Sequence, residues 1–189
     1  MTLTRILPFT KQLLQTCVMP GDKVIDATCG NGHDTVFLSK LVGETGVVFA
    51  FDIQEQAIKQ TRQQLEKEKR QNVTLILDSH ANVHQYVKDD VRAAVFNLGY
   101  LPNSDHQVTT HGASTWEAVE KMLKLLTIGG VIILVIYHGH SEGKVERDYL
   151  ENQIQTLDPV QTSVLKYAFL NKKDAPYVIA IEKVKVKNE

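Results

Sequence analysis

The stretch Val24-Ile25-Asp26-Ala27-Thr28-Cys29-Gly30-Asn31-Gly32-His33-Asp34 decides the fold. A short apolar run ends at an acidic residue, two glycines follow closely, and a helical apolar pattern begins behind them, which predicts a strand, a tight turn and a helix. Such a junction places a ligand at the carboxyl end of a strand. Gly30 and Gly32 are expected to let the backbone approach that ligand, and Asp26 to offer an acceptor for a cation or a hydroxyl.

Two common phosphate-binding patterns do not fit this stretch. The dinucleotide fingerprint needs a third glycine where the chain has Thr35, and no Gly-Lys-Ser/Thr follows to complete a Walker motif. A strand-to-helix turn without any ligand therefore stays open as an alternative.

Composition limits the class of protein. The 189 residues are 43% hydrophobic and 23% charged, with a formal net charge of -1, which predicts one globular domain over residues 1–189. This charge balance still allows a local basic patch for nucleic acid. Cys17 and Cys29 are the only cysteines, which favours a cytoplasmic protein without a disulfide framework.

No targeting, membrane or metal-binding pattern is recognised. The first ten residues do not resemble a signal peptide, and the longest apolar run, Val131 to Tyr137, is too short to span a bilayer. Neither Cys-x-x-Cys nor His-Glu-x-x-His occurs, so we expect no metal site.

Apolar runs and helical patterns alternate along most of the chain. The predicted strands are Lys23 to Thr28, Val47 to Asp52, Val73 to Leu77, Val91 to Phe96, Val131 to Tyr137, Thr162 to Phe169 and Tyr177 to Lys183. Predicted helices include Thr10 to Val18, Asn31 to Val42, Ala81 to Lys88, one that starts at a Ser114–Glu117 capping box, and Lys144 to Leu157. This alternation predicts an α/β fold with a mostly parallel sheet, and the final pair of strands reads as a hairpin.

A second acidic residue, Asp52, ends the second predicted strand 22 residues after Gly30. This spacing is close to that at which nucleotide-binding sheets present a carboxylate to ribose hydroxyls, and Gln54 would line the adenine slot. A helix cap is the alternative reading of Asp52.

The glycine turn resembles the first motif of class I S-adenosylmethionine-dependent methyltransferases. The resemblance implies a seven-stranded Rossmann-like sheet with an antiparallel last strand, helices on both faces, and S-adenosylmethionine as cofactor. It implies that Asp26 lies near the methionine amino group and that Thr28, Gly30, Asn31 and Gly32 contact the cofactor. Asp78, Ser79 and His80 would flank the adenine, with another helix cap as the alternative.

The stretch Asn97-Leu98-Gly99-Tyr100-Leu101-Pro102 resembles the Asn/Asp-Pro-Pro-Tyr/Phe motif of amino-methyltransferases, although Leu98-Gly99 replaces the two prolines. It implies that the Asn97 side chain and the Leu98 carbonyl orient an amine, and that Tyr100 lines the substrate slot. Alternatively, Tyr100 packs on the core. Tyr137 and His138 end the fifth strand, where they could contact the substrate or accept its proton, or be structural.

Four stretches together resemble a small bacterial family, the tRNA 5-(aminomethyl)-2-thiouridine methyltransferases, formerly labelled rRNA methylases. They are Asp-Ala-Thr-x-Gly-Asn-Gly-His-Asp-Thr at 26–35, Phe-Asp-Ile-Gln at 51–54, Asn-Leu-Gly-Tyr-Leu-Pro at 97–102 and Tyr-His-Gly-His-x-x-Gly-Lys-x-Glu at 137–146.

This resemblance implies methylation of the wobble uridine 34 in the anticodon stem-loop of tRNA. Lys172 and Lys173 are expected to contact the RNA, and a homodimer would double the basic surface. An rRNA base or a small-molecule amine remains an alternative acceptor, and a non-catalytic binding module remains an alternative class.

Overall fold

The computed structural model describes residues 2–88, 90–99, 111–139 and 141–185. Its strands are β1 Lys23–Asp26, β2 Val47–Asp52, β3 Val73–Leu77, β4 Val91–Leu98, β5 Leu126–Ile136, β6 Thr162–Tyr167 and β7 Tyr177–Lys183. Its helices are α1 Ile6–Cys17, α2 His33–Val42, α3 Glu55–Lys67, α4 Val83–Tyr86, α5 Gly112–Leu125 and α6 Ser141–Ile154, with a 3-10 turn at His80–Asn82.

All seven strands form one sheet in the order β3-β2-β1-β4-β5-β7-β6. The first five strands, β1 to β5, run parallel to one another, whereas β7 is antiparallel to both β5 and β6. The predicted class I methyltransferase fold, with its mostly parallel sheet, is confirmed. The chain leaves β1 toward β2 and β3 and then returns to β4 on the other side, so a crevice forms above the ends of β1 and β4.

Each face of the sheet carries its own apolar core. Along β4, Ala94 and Phe96 pack on the face covered by α5 and α6, whereas Ala93 and Val95 pack on the face covered by α1 and α2. The alternation follows from the two-residue repeat of a strand, and burial on both faces explains why β4 reads as a continuous apolar run.

Several element boundaries differ from the predicted ones. Helix α1 begins at Ile6, four residues early, because Pro8 lies in the first helical turn, where a backbone N–H has no intrahelical acceptor. The predicted capping box is wrong: α5 begins at Gly112, and the Ser114 hydroxyl donates to the His111 carbonyl at 3.0 Å. Glu117 pairs instead with Lys121 one turn later.

The glycine pair before the fifth strand also behaves differently. Gly129 and Gly130 lie inside β5, where the register with β4 jumps from Val91–Leu126 to Ala93–Val131. Such a bulge needs the left-handed backbone that Gly129 adopts, with φ of +74°.

Candidate active site

A cavity of about 790 Å³ opens above the carboxyl ends of β1 to β5. Its walls come from the loop after β1, from the residues that follow β2 and β3, and from the ends of β4 and β5. Leu7 of α1, His111 before α5 and Asp174 in the loop between β6 and β7 complete it.

Asp52 ties two of these loops together. Its carboxylate accepts the Gly30 N–H and the Gln54 N–H, each at 3.0 Å, and the Gly30 carbonyl accepts from the Thr61 hydroxyl at 3.0 Å. Burial raises the pKa of Asp52. Asp52, Gly30 and Gln54 all line the cavity, so the two predicted motifs meet there.

Asp26, at the end of β1, does not line the cavity. The side chain is fully buried and accepts the Thr35 hydroxyl at 2.6 Å and the Thr28 N–H at 3.3 Å. Burial, with a smaller contribution from the charge of Asp34, raises its pKa to about 7. Asp26 exposes no surface and holds the loop from beneath, and its place near the methionine amino group of the cofactor stays a prediction.

Gly32 has a packing role, and its predicted contact with the cofactor stays a prediction. It adopts φ of +81°, and a Cβ atom there would lie 2.9 Å from the Thr61 Cα of α3. The glycine therefore permits α2 and α3 to approach, while Thr28, Gly30 and Asn31 of the same loop line the cavity.

Asp78, Ser79 and His80 line the cavity on the β3 side. The Asp78 carboxylate already accepts the Ser79 N–H at 2.7 Å, the Asn82 amide at 2.9 Å and the Tyr86 hydroxyl at 2.8 Å. These bonds leave Asp78 fewer free acceptor positions for an adenine amino group. The helix cap that was the alternative is made by Ser79, whose hydroxyl accepts the Ala81 N–H at 3.2 Å.

His80 bridges β3 and β1. Its Nδ1 lies 3.0 Å from the Ala27 carbonyl, and burial lowers the pKa of the ring, which favours the neutral form. Since a carbonyl only accepts, Nδ1 carries the proton and Nε2 is an acceptor. Nε2 is buried and has no hydrogen-bond partner within the described parts of the chain.

Asn97 lies at the end of β4 and is held at two points. Its backbone N–H donates to the Thr28 hydroxyl at 2.7 Å, and its side-chain Nδ2 donates to Asp34 Oδ2 at 2.9 Å. The neighbouring Leu98 carbonyl accepts the Tyr137 N–H at 3.3 Å and keeps a second lone pair. Asn97, Leu98 and Tyr137 all line the cavity.

The β5 end contributes Tyr137 and His138. Burial, together with the charge of Asp34, raises the pKa of Tyr137. The ring of His138 lies 5.5 Å from that of Tyr177, and its buried Nδ1 has no partner among the residues that the structure describes. Tyr100, predicted to line the slot, lies outside those residues.

Lys172 and Lys173 belong to the loop between β6 and β7. They do not line the cavity themselves, but the next residue, Asp174, does. The Lys172 Nζ lies 4.6 Å from the centre of the Phe169 ring. In the sequence, the two lysines therefore directly precede a residue that lines the cavity.

Sequence reasoning missed several lining residues. Asp34 lies within the quoted glycine stretch, and its acidic side chain in the first turn of α2 was the available signal. Ile53 likewise lies within the quoted 51–54 stretch. Leu7, Lys11, His111 and Asp174 come from segments far apart in the chain, and no local motif identifies them.

Searches for other kinds of site gave two negative findings. Within the described ranges, no group of three or more His, Cys, Asp or Glu side chains is arranged to hold a metal ion. The described helices include none that is long and apolar enough to cross a membrane.

The sheet order and the cavity at its switch point define a class I, S-adenosylmethionine-dependent methyltransferase. The sequence profile of the family described as "Putative rRNA methylase" matches residues 48–182, and the chain belongs to that family.

Two solved structures and one curated relative are similar over most of the chain. A putative rRNA-methylase from Clostridium thermocellum has a TM-score of 0.95 at 40% identity, covering 97% of this chain and 100% of that one. A putative methyltransferase from Streptococcus mutans, in complex with SAH, has a TM-score of 0.89 at 40% identity, with the same coverage. A chloroplastic tRNA (mnm(5)s(2)U34)-methyltransferase of Arabidopsis thaliana is 35% identical over 173 residues. The aligned part covers 86% of this chain and 63% of that relative's length.

The charges that line the cavity fit S-adenosylmethionine, the methyl donor of this class. Asp34, Asp52, Asp78 and Asp174 are the acidic lining residues, whereas Lys11 is the single Lys or Arg among the described ones. An acidic cavity favours a ligand that carries a sulfonium and an ammonium group.

Proposed function

We propose that residues 1–189 form one methyltransferase domain that acts on the wobble uridine 34 of tRNA. The reaction is N-methylation of 5-aminomethyl-2-thiouridine to 5-methylaminomethyl-2-thiouridine. The observation that carries the proposal is the placement of Asn97, whose amide is held at the cavity wall by Asp34 while its backbone is held by Thr28. The name of the plant relative supports this choice of acceptor.

The chain's contribution to the reaction is to orient an amine. Asn97 Oδ1 and the Leu98 carbonyl accept hydrogen bonds from the aminomethyl nitrogen, which aims its lone pair at the methyl group. Holding nucleophile and methyl group in line removes much of the entropic barrier.

Bound S-adenosylmethionine supplies a methyl group activated by the positive sulfur. The new C–N bond forms as the C–S bond breaks, so the sulfur leaves neutral as S-adenosylhomocysteine. The amine must be neutral to attack, and the proton it loses passes to His138 or to solvent. The place of His138 among the residues that line the cavity supports this residue as the acceptor.

Cofactor binding is assigned to the loops that follow β1, β2 and β3. The backbone of Thr28, Gly30 and Asn31 lies against the methionine part, and Asp52 accepts from the ribose hydroxyls. Gln54, Asp78, Ser79 and His80 surround the adenine. The free acceptor on His80 Nε2 suits a donor group on the ligand better than the crowded carboxylate of Asp78.

The RNA is assigned to the side of the cavity formed by the β6–β7 loop. Lys172 and Lys173 contact phosphates of the anticodon stem-loop, since lysines supply much of the affinity for a nucleic-acid backbone. A homodimer would add the same lysines from a second chain. Light scattering with and without tRNA measures the mass of the assembly directly.

Methyl transfer from labelled S-adenosylmethionine to three acceptors tests the proposal. The acceptors are tRNA that carries 5-aminomethyl-2-thiouridine, rRNA, and a free primary amine. We expect label in the tRNA alone. Label in the rRNA or the free amine alone would refute the assigned acceptor.

An Asn97→Ala variant tests the assigned residue. We expect turnover to fall by about a hundredfold or more, as when a positioned hydrogen-bonding group is removed from a reaction centre, while calorimetry finds cofactor binding unchanged. Asn152→Ala is the matched control, because Asn152 is exposed on α6. Full turnover in Asn97→Ala would contradict the assignment.

A further inference from the structure

Asp34 lies in the first turn of α2 and lines the cavity. Its Oδ2 accepts from the Asn97 side-chain Nδ2 at 2.9 Å, a contact between residues 63 positions apart. The glycine turn after β1 and the end of β4 are thus joined by their side chains at the wall where an acceptor amine would be oriented.

The contact with Asp34 determines the orientation of the Asn97 side-chain amide. A carboxylate only accepts hydrogen bonds, so the amide must direct its NH₂ group toward Asp34. The oxygen Oδ1 then lies at the opposite end. The Thr28 hydroxyl holds the Asn97 backbone at 2.7 Å, so the main chain from which the side chain projects is fixed, and the Asp34 contact orients the amide.

We propose that Asp34 is a positioning residue, which orients the Asn97 amide so that its oxygen faces the acceptor amine. The inference rests on the proposed function, since it needs Asn97 to hold the amine. Without Asp34 the amide could flip and present its NH₂ group, which cannot accept a hydrogen bond from an amine. The contact with Asp34 orients the Asn97 amide although Leu98 and Gly99 replace the two prolines of the amino-methyltransferase motif.

A general helix-terminal role does not account for Asp34. An acidic residue in the first turn is favourable for any helix, and Glu55 fills that place in α3. Glu55 is exposed and does not line the cavity, however. The charge of Asp34 also reaches its surroundings, because it contributes to the raised pKa values of Asp26 and Tyr137.

A double-mutant cycle tests whether Asp34 acts through Asn97. We expect Asp34→Ala to lower kcat by about tenfold to a hundredfold, the range found when a partner that orients a functional group is lost. KM for the cofactor should change less, because Asp52, Asp78 and Asp174 keep the cavity acidic. In an Asn97→Ala background the same change should lower kcat no further. Glu55→Gln, which removes an acid from the equivalent helix turn, should behave as wild type.

Asp34→Asn separates orientation from folding. This side chain keeps the size of Asp34 and still offers an acceptor, but it no longer dictates the orientation of Asn97, so its kcat should lie between those of wild type and Asp34→Ala. Losses that multiply in the double variant, or an Asp34→Ala enzyme with wild-type kcat, would overturn the inference.

An NMR experiment tests the hydrogen bond between Asp34 and Asn97 without any acceptor tRNA. The side-chain NH₂ signals of Asn97, assigned by comparison with Asn97→Ala, should be protected from exchange in the wild type and in Glu55→Gln. They should lose that protection in Asp34→Ala. If the wild type fails to methylate tRNA, the proposed function is refuted, but the NMR experiment still tests the contact between Asp34 and Asn97. Unchanged signals in Asp34→Ala would refute that contact.

Discussion

Asp26 and Asp52 end neighbouring parallel strands, yet only Asp52 lines the cavity. Both were predicted from the sequence as ligand-binding acids, because residue type and spacing are the same kind of signal for each. What separates them is burial, which depends on Thr35 and the turn that closes over Asp26. The presence of a strand-end acid was predictable, whereas its exposure was not.

The buried acid has a consequence for stability. Its pKa in the folded protein is about 7, above the usual 3.8, so folding favours the protonated form. The stability that Asp26 contributes is therefore present at acidic pH and is lost as the pH rises through about 7. We expect Asp26→Asn, which cannot ionise, to gain stability over the wild type progressively between about pH 4 and about pH 8.

Urea unfolding of both proteins across this range measures the difference in free energy of unfolding. A difference that does not change with pH would show that Asp26 is ionised throughout.

Gly32 offers a second test on a single residue. An alanine there must adopt a left-handed backbone and bring its Cβ within 2.9 Å of Thr61, so we expect Gly32→Ala to cost about 2–4 kcal/mol. Gly21→Ala is the matched control: its φ is also positive, at +96°, but its nearest neighbour would be 3.6 Å away. Equal losses in the two variants, measured by thermal unfolding, would mean that the approach of α3 does not matter.

The helices and strands were predicted well in their middles and poorly at their ends. Hydrophobic periodicity is strong over β3 and β7, and their predicted bounds are confirmed. The start of α5 was missed because Ser114 and Glu117 have the spacing of a capping box, while the contacts that form are made with His111 and Lys121. Local spacing does not determine which of two competing hydrogen bonds is made.

The end of α2 depends on a neighbouring segment. Arg70, just after α3, donates through Nε to the Ser39 hydroxyl at 3.0 Å and through a second nitrogen to the Ser39 carbonyl at 2.6 Å. Since it serves two groups of the last turn of α2, Arg70→Ala should lower the free energy of unfolding by about 1–3 kcal/mol.

Lys67→Ala is the control for this change, because it removes the same charge from an exposed position in the last turn of α3. Its effect in urea unfolding should stay within about 0.5 kcal/mol. Similar losses in both variants would indicate a general charge effect in place of the contact with α2.

The assembled molecule brings together residues that no motif connects. Leu7 of α1, His111 before α5 and Asp174 of the β6–β7 loop meet at one cavity because the sheet order places their elements around the switch point. The sequence predicted the sheet and the strand-end residues, since both follow from local patterns. The remaining walls depend on tertiary packing.

The proposed RNA surface makes a prediction about salt. Replacing Lys172 and Lys173 together by alanine should weaken tRNA binding and reduce the slope of log affinity against log salt by about 1.4 to 1.8. The control replaces Lys59 and Lys67, two exposed lysines of α3, and should leave the slope unchanged. Fluorescence anisotropy over a salt series gives both slopes, and equal slopes for wild type and the Lys172/Lys173 variant would exclude this loop as the phosphate contact.

The most direct measurement is mass spectrometry of the nucleosides from tRNA after incubation with the protein and S-adenosylmethionine. We expect 5-aminomethyl-2-thiouridine to gain the mass of one CH₂ group and fragmentation to place the new methyl on the side-chain nitrogen. An unchanged nucleoside, with cofactor binding demonstrated in the same sample, would contradict the proposed reaction.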